Sequence, residues 1–85
     1  MPRQRHQRKM LEPPHFEGYK PYGTSIEGKP SVELLYEEYE TLKWADYYGM
    51  NHEKACRHMG ISRSTFARIY ENARRKIARA LVETR

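Results

Sequence analysis

The sequence predicts an all-α domain of three helices that follows an extended, irregular N-terminal segment. All five prolines and three of the five glycines lie in residues 1–31, a composition that disfavours regular structure there. Beyond that segment, apolar residues recur at three- and four-residue spacing, which is typical of amphipathic helices. A chain of 85 residues is long enough for one domain. We therefore expect a basic arm and Pro/Gly-rich extended segment over residues 1–31, and a helical domain over residues 32–85.

The first helix is predicted to begin near Leu34 and to end at Gly49, a glycine in a suitable place for a C-terminal cap. Glutamates at positions 37, 38 and 40 lie near its start, where negative charge complements the helix dipole. Its apolar positions are Leu35, Tyr39, Leu42 and Ala45, with Trp44 and Tyr48 beside them.

Two further helices are predicted on either side of Gly60. Asn51 is a suitable N-cap for a short helix over residues 52–58, and Ser62 for a third helix over residues 63–82. The apolar stripe of the third helix consists of Phe66, Ile69, Tyr70, Ala73, Ile77, Ala80 and Leu81. At 1.5 Å per residue this helix is about 30 Å long, so we expect its C-terminal half to pack on the first helix or on a second subunit.

The second and third helices, with the short break between them, predict a helix-turn-helix. Gly60 suits the turn, because a positive φ angle is unstrained only for glycine. Cys56 falls where the two helices are closest and only a small side chain fits. The angle between them would be closed by the apolar residues Ala55, Met59, Ile61, Phe66 and Ile69.

The start of the third helix carries residue types that are suited to DNA recognition. Arginine can read guanine, serine can bond to either kind of base, and a small apolar side chain can meet a thymine methyl group. In a helix-turn-helix, the N-terminal residues of the recognition helix face base edges in the major groove. The residues expected to face bases are Arg63, Ser64, Ala67 and Arg68. The residues expected to contact phosphates, which fix the register of binding, are Asn51, His52, Ser62, Thr65 and Arg75.

Charge is distributed unevenly along the chain. The formal net charge is +5 at pH 7, but residues 24–50 carry −4 and residues 51–85 carry +6. A basic segment on a folded element suits a polyanionic partner, although a solvated helix face has the same composition. The N-terminal arm is either a minor-groove contact or a solubilising tail, and its basic residues are Arg3, Arg5, Arg8 and Lys9.

Neither an enzyme nor a membrane protein is indicated. No run of 18 apolar residues occurs and no apolar segment follows the basic start, so we expect no membrane span, no secretory signal and a cytoplasmic location. Cys56 is the only cysteine, which excludes an internal disulfide and a four-cysteine zinc site. His52 and Cys56 have a spacing that could bind a metal or pair a thiol with a base. We favour a packing role for Cys56, and expect neither a metal nor a cofactor.

Four stretches of the sequence resemble a known family: MPRQR, YKPYG, YEEYETLKWADYYGMNHEKACRHMGISRSTFARI and ENARRKIARALV. They are similar to a small prokaryotic family of uncharacterised, predicted DNA-binding proteins that begin Met-Pro-Arg-Pro. The helix-turn-helix of that family resembles region four of sigma-70-type factors, so the resemblance implies DNA binding and a regulatory role. The chain departs from it at Gln7 and Leu11, where many relatives have cysteines, and in the aromatic residues of its first helix.

The expected function is therefore sequence-specific binding of double-stranded DNA, in transcriptional regulation. Dimerisation is a hypothesis, since specific sites commonly consist of two half-sites. Two alternatives stay open: a non-specific architectural DNA binder, and a protein-interaction module that contacts transcription machinery through the tyrosine-rich first helix. RNA binding is a third alternative, for which the sequence offers no stacking motif.

Overall fold

The computed structural model describes residues 14–85, and this part of the chain contains helices and no strand. The first helix has two parts, α1 over Tyr36–Thr41 and a π-helix over Leu42–Tyr47. The other helices are α2 over His52–Met59 and α3 over Arg63–Glu83. The all-helical prediction is thus confirmed for the described residues, whereas the basic residues of the N-terminal arm lie outside them.

The prediction of one regular first helix from Leu34 to Gly49 is wrong in its detail. The helix begins at Tyr36, where the Leu35 amide donates to the Glu38 carboxylate at 2.9 Å. From Leu42 it widens into π geometry, and the Tyr48 amide donates to the carbonyl of Lys43 at 3.0 Å. Apolar spacing does not reveal this change, because the π-helix is only six residues long and covers little more than one turn.

The predicted caps of the two later helices are confirmed. The Asn51 side chain accepts a hydrogen bond from the Lys54 amide at 2.8 Å, and Ser62 Oγ accepts from the Thr65 amide at 3.1 Å. Gly60 ends α2 with a φ angle of 71°, in the left-handed region that favours glycine. These bonds satisfy amides that a helix start otherwise leaves without a partner, and so fix where α2 and α3 begin.

The core lies between α2, the first half of α3 and the π-helix. Ala55, Met59 and Phe66 are fully buried, and Cys56 nearly so. The residues packed around them are Trp44, Ala45, Met50, Ile61 and Tyr70. The core therefore holds α2 and α3 at a fixed angle and anchors the π-helix against both.

The apolar stripe of α3 is buried along only part of its length. Ile69 and Ala73 are buried in the first half of the helix, whereas Ile77 and Leu81 are exposed. The reason is that α1 is short and lies beside α3 near Lys76, whose ammonium group is 2.9 Å from the Glu38 carboxylate. The expected packing of the C-terminal half on the first helix thus does not extend to Leu81.

Polar contacts hold the extended segment against the last turns of α3. The Lys29 ammonium group donates to Thr84 Oγ1 at 2.7 Å, and the Arg85 guanidinium donates to the Pro30 carbonyl at 2.9 Å. Lys76 also donates to the Glu33 carbonyl at 2.8 Å. Within residues 14–85, no helix is long and apolar enough to cross a membrane.

Candidate nucleic-acid interface

The turn between α2 and α3 positions the start of α3 at the protein surface. The amides of Gly60 and Ile61 donate to the carbonyls of Arg57 and Cys56, at 3.2 and 3.1 Å. Phe66, one turn into α3, is fully buried against α2. With Phe66 pointing inward, the remaining side of the first two turns of α3 faces outward.

The four residues predicted to face base edges lie on this outward side. Arg63, Ser64, Ala67 and Arg68 are all exposed. Neither Arg63 nor Arg68 forms an ion pair or hydrogen bond with any side chain in residues 14–85, so both guanidinium groups are available to a ligand. A helix start that presents two uncommitted arginines beside a small residue and a hydroxyl can form hydrogen bonds with DNA base edges.

Three hydroxyl groups lie together at the start of α3, and one of them belongs to the N-cap residue Ser62. Ser62 Oγ lies 2.8 Å from Thr65 Oγ1 and 3.3 Å from Ser64 Oγ, in addition to its bond from the Thr65 amide. Ser62 and Ser64 are exposed, and Thr65 is partly buried. Of the residues predicted to contact phosphates, Ser62 and Thr65 are thus already engaged with each other, but retain access to solvent.

The other predicted phosphate contacts have different surroundings. Asn51 is exposed, but its side-chain oxygen caps α2, which leaves its amide nitrogen as the available donor. The His52 ring is half-buried and packs edge-on against Phe66 and Tyr70, with ring centroids 5.0 Å apart in both cases. His52 therefore contributes to the packing between α2 and α3, a role that the sequence did not reveal.

Arg75 lies two turns beyond Arg68 on the same side of α3. Its guanidinium group is exposed and forms a surface ion pair with Glu71, one turn earlier, at 3.2 Å. At about 100° per residue, Glu71 also falls on the side that carries Arg68 and Arg75. This carboxylate is the one negative charge on the outward side of α3 between Arg63 and Arg79.

Two other basic residues of α3 contact the part of the chain that precedes α2. Arg74 lies 4.0 Å from the Asp46 carboxylate and 5.3 Å from the centre of the Tyr70 ring. Lys76 bonds to Glu38 and to the Glu33 carbonyl. The sequence offered no signal that would separate them from Arg68 and Arg75, because all four are basic residues of one helix and only the positions of α1 and the π-helix distinguish them.

An aromatic cluster lies near the end of α2. The Trp44 ring stacks on Tyr48 at 5.3 Å and lies 4.6 Å from the His58 ring, and Tyr47 meets Tyr48 edge-on at 4.8 Å. Tyr47 and Tyr48 are exposed. The aromatic residues of the first helix are therefore divided between core packing, through Trp44, and the surface.

The described residues include no group of three or more histidine, cysteine or acidic side chains arranged to hold a metal ion. Cys56 is buried at the contact of α2 with the core, and its thiol donates to the Glu53 carbonyl at 3.3 Å. His52 turns its ring toward Phe66 and Tyr70. Cys56 thus lies in the packed position that the sequence predicted, whereas the ring contacts of His52 differ from its predicted contact with phosphate.

Residues 14–85 thus fold with helices as their only regular elements, and α3 begins at the surface with a basic, exposed turn. The chain belongs to the family described as a protein of unknown function, DUF134, which matches residues 1–85. No solved structure matches the chain.

Its relatives are bacterial and archaeal proteins that carry the family name UPF0251. One from Chloroherpeton thalassium is 39% identical over 85 residues, which are all of this chain and 56% of the relative. One from Desulfosudis oleivorans is 42% identical over 82 residues, or 96% of this chain and 59% of the relative. One from Pyrococcus horikoshii is 49% identical over 57 residues, or 67% of this chain and 52% of the relative. The chain thus spans just over half the length of these relatives.

Proposed function

We propose that the protein binds double-stranded DNA in a sequence-specific manner, and that α2 and α3 form a helix-turn-helix with α3 as the recognition helix. The observation that carries the proposal is the pair of exposed arginines, Arg63 and Arg68, without an acidic partner in the described part of the chain. Arg75, further along the helix, differs from them in pairing with Glu71.

Reading of bases is assigned to the first two turns of α3. A recognition helix enters the major groove by its N-terminal end, where the groove is about 12 Å wide. Arg63, Ser64, Ala67 and Arg68 lie within about 8 Å along the helix axis, since each residue advances it by 1.5 Å. These four side chains therefore fit within one groove, with the arginines suited to guanine.

Phosphate contacts are assigned to the residues that flank this surface. The hydroxyl groups of Ser62 and Thr65 and the side-chain amide of Asn51 lie at the starts of α3 and α2. Helix starts favour phosphate, because their free amides and their dipole attract negative charge. Arg75 can follow the backbone further along the groove, after exchanging Glu71 for a phosphate. His52 has a smaller role in this scheme, because its ring is committed to packing.

Transcriptional regulation follows as the proposed role, in which binding to a particular site controls a neighbouring gene. The proposal includes a homodimer on DNA, because specific sites commonly consist of two half-sites. Sequence-specific binding requires the base-facing residues of α3, whereas non-specific binding requires only the residues that contact phosphates. The experiment is therefore designed to separate base contacts from phosphate contacts.

The test is a selection of bound sequences from random duplex DNA, followed by affinity measurements at two salt concentrations. We expect an enriched motif, and Arg63→Ala to weaken binding to it by about 1–3 kcal/mol, or roughly five- to 150-fold, while relaxing the preference at one position. Arg57→Ala is a matched control, because Arg57 is an exposed arginine that pairs with Glu53 on α2. It should leave the motif unchanged.

Other outcomes would revise or reject the proposal. Steeply salt-dependent binding with no enriched motif would mean that the surface contacts phosphates and not base edges, as an architectural DNA-binding protein does. A motif that survives both Arg63→Ala and Arg68→Ala would remove α3 from the role of recognition helix. A two-fold symmetric motif would support the homodimer, whereas sedimentation as a monomer with and without DNA would contradict it.

A further inference from the structure

The last turns of α3 expose an apolar surface, which we call the α3 patch and define as Ile77, Ala78, Leu81 and Val82. Leu81 is 73% exposed and Val82 is 81% exposed. At about 100° per residue, the four side chains occupy a continuous arc of about 140° around the helix. They therefore form one surface, not isolated apolar residues of the kind that every protein surface carries.

The helix that carries the patch is held in place. Lys29 and Arg85 tie the extended segment to its last turn, through Thr84 and the Pro30 carbonyl, and Lys76 bonds to the buried Glu38 carboxylate. Lys76 lies on the side of α3 opposite the patch. The contacts at Thr84 and Arg85 follow the last turn of the helix, and Leu81 and Val82 remain exposed. A preformed surface binds a partner without the entropic cost of ordering it first.

Three arginines border the patch on two sides. Arg74 lies one turn before it, and Arg75 and Arg79 lie along one of its long edges; all three are exposed. Arg74 and Arg75 each face one acidic group, Asp46 and Glu71, in exposed pairs that contribute little stability and can be exchanged for a partner's carboxylates. Arg79 has no acidic partner among the described residues. The patch therefore has an apolar centre and a cationic rim on two of its sides.

The cationic rim selects among the ligands that could cover the patch. A second copy placed across a two-fold axis would bring like-charged rims together, which is unfavourable. DNA would satisfy the arginines but would leave Leu81 and Val82 against charged phosphates, with no apolar area to bury them. A helix with an apolar stripe between acidic flanks complements both features, in the manner of helix-in-groove recognition. We propose that the α3 patch binds an acidic amphipathic helix of a partner protein.

This binding site is separate from the proposed DNA-reading surface. Val82 is 19 residues beyond Arg63, or about 28 Å along the helix axis, which exceeds the width of a major groove. Arg75 alone is assigned to both surfaces, as a phosphate contact and as part of the rim. The apolar centre of the patch remains accessible when the first turns of α3 lie in the groove. The inference does not depend on DNA binding, since it rests only on the composition and exposure of the last turns of α3.

The test uses the whole chain and a fluorescently labelled helical peptide of about 21 residues, with leucine at the a and d positions of three heptads and glutamate at e and g. A second peptide has the same composition in scrambled order. We expect fluorescence anisotropy to show saturable binding of the first peptide, and at least tenfold weaker binding of the second. The double substitution Leu81→Ser with Val82→Ser should also weaken binding of the first peptide at least tenfold.

The matched control is Tyr19→Ser with Tyr22→Ser, which removes two other highly exposed apolar side chains and should leave peptide binding unchanged. Circular dichroism of each variant should remain that of the wild type, because all four residues are exposed. Equal binding of the two peptides, or no binding, would overturn the proposal. Two further results would also overturn it. If the wild type self-associates in sedimentation and the Leu81/Val82 variant does not, the patch binds a second copy. If the variant loses affinity for DNA, the patch binds DNA.

Discussion

The Tyr70 hydroxyl donates a hydrogen bond of 2.6 Å to the Asp46 carboxylate, and so joins α3 to the π-helix across 24 positions of the sequence. The Tyr70 ring stacks on Phe66, whose burial orients the start of α3, and meets the His52 ring at the start of α2. One side chain thereby contacts three of the helical elements. This contact joins the helix that carries Arg63 and Arg68 to the π-helix and to α2.

The first prediction concerns the stability of the protein at alkaline pH. The hydrogen bond to Asp46, followed by burial and the negative charge of Asp46, raises the pKa of the Tyr70 phenol above its ordinary value, while Arg74 lowers it. A raised pKa in the folded state means that the folded protein holds the proton more tightly than the unfolded chain. The resulting stability is fully present below the unfolded pKa of about 10 and is lost as pH rises through the folded pKa.

Urea unfolding at pH 8 and at pH 11 measures this loss directly. Tyr70→Phe should destabilise the protein at pH 8 by about 1 kcal/mol, the usual contribution of one hydrogen bond. At pH 11 the difference between variant and wild type should shrink, because the wild type has lost the contribution. Tyr47→Phe is the matched control, since Tyr47 is exposed and forms no described hydrogen bond. An undiminished difference at pH 11 would show that the pKa of the Tyr70 phenol is not raised in the folded protein, and would contradict the prediction.

The second prediction concerns the ion pair between Lys76 and Glu38. The Glu38 side chain is 5% exposed and that of Lys76 is 29% exposed, so removal of either leaves a charge in a poorly solvated place. Lys76→Ala should lower the free energy of unfolding by about 2 kcal/mol or more, below the range for a fully buried pair because Lys76 retains some solvent. Arg75→Ala, which breaks the exposed pair with Glu71, should change it by less than about 1 kcal/mol. Equal effects in chemical denaturation would contradict this distinction.

The sequence predicted those features of the fold that depend on neighbouring residues. The caps at Asn51 and Ser62 and the turn at Gly60 are local, because each requires a residue type at a fixed distance from a helix start or end. The bounds of α2 and α3 were accordingly predicted to within a residue.

The features that the sequence did not reveal depend on distant contacts. The π-helix occurs where Asp46 meets Tyr70 and Trp44 meets the core, and neither partner is recognisable from local periodicity. The same holds for the basic residues of α3, of which Lys76 is drawn inward by Glu38, 38 positions earlier, while Arg68 is left at the surface. The residue types of the candidate site were predicted from the sequence. The ion pair of Lys76 and the ring packing of His52 could be recognised only from the folded structure.

The third prediction separates the capping role of Ser62 from its proposed contact with phosphate. Ser62→Ala removes the acceptor for the Thr65 amide and should destabilise the protein by about 1 kcal/mol. Ser62→Asp retains a good N-cap and adds a charge that suits the helix start, so its stability should equal or exceed that of the wild type. The same variant should bind duplex DNA at least tenfold more weakly, because a carboxylate would face the phosphates.

Thermal unfolding and DNA affinity of the two variants, measured in one buffer, check this prediction. Asn51→Asp is a useful companion, since it also retains a cap but lies at the start of α2. Wild-type DNA affinity in Ser62→Asp would place the start of α3 away from the phosphate backbone.

The fourth prediction follows from the position of Glu71 on the outward side of α3. Its carboxylate pairs with Arg75 at 3.2 Å, so DNA binding at Arg75 must first exchange Glu71 for a phosphate and must bring a negative charge close to the backbone. Glu71→Gln removes that charge and releases Arg75. We expect it to raise DNA affinity several-fold, and to steepen the dependence of log K on log salt by up to about one ion, as one more phosphate is neutralised. Stability should change little, because the pair is exposed.

Glu53→Gln is the matched control, because Glu53 forms the equivalent i, i+4 pair with Arg57 on α2. Each of the two substitutions raises the net charge by one, so a general increase in attraction to DNA would affect both equally. A gain confined to Glu71→Gln would instead locate the DNA along the outward side of α3. If both variants gained equally with no change in salt slope, Arg75 would be excluded as a phosphate contact, and the DNA-binding surface would be limited to the first two turns of the helix.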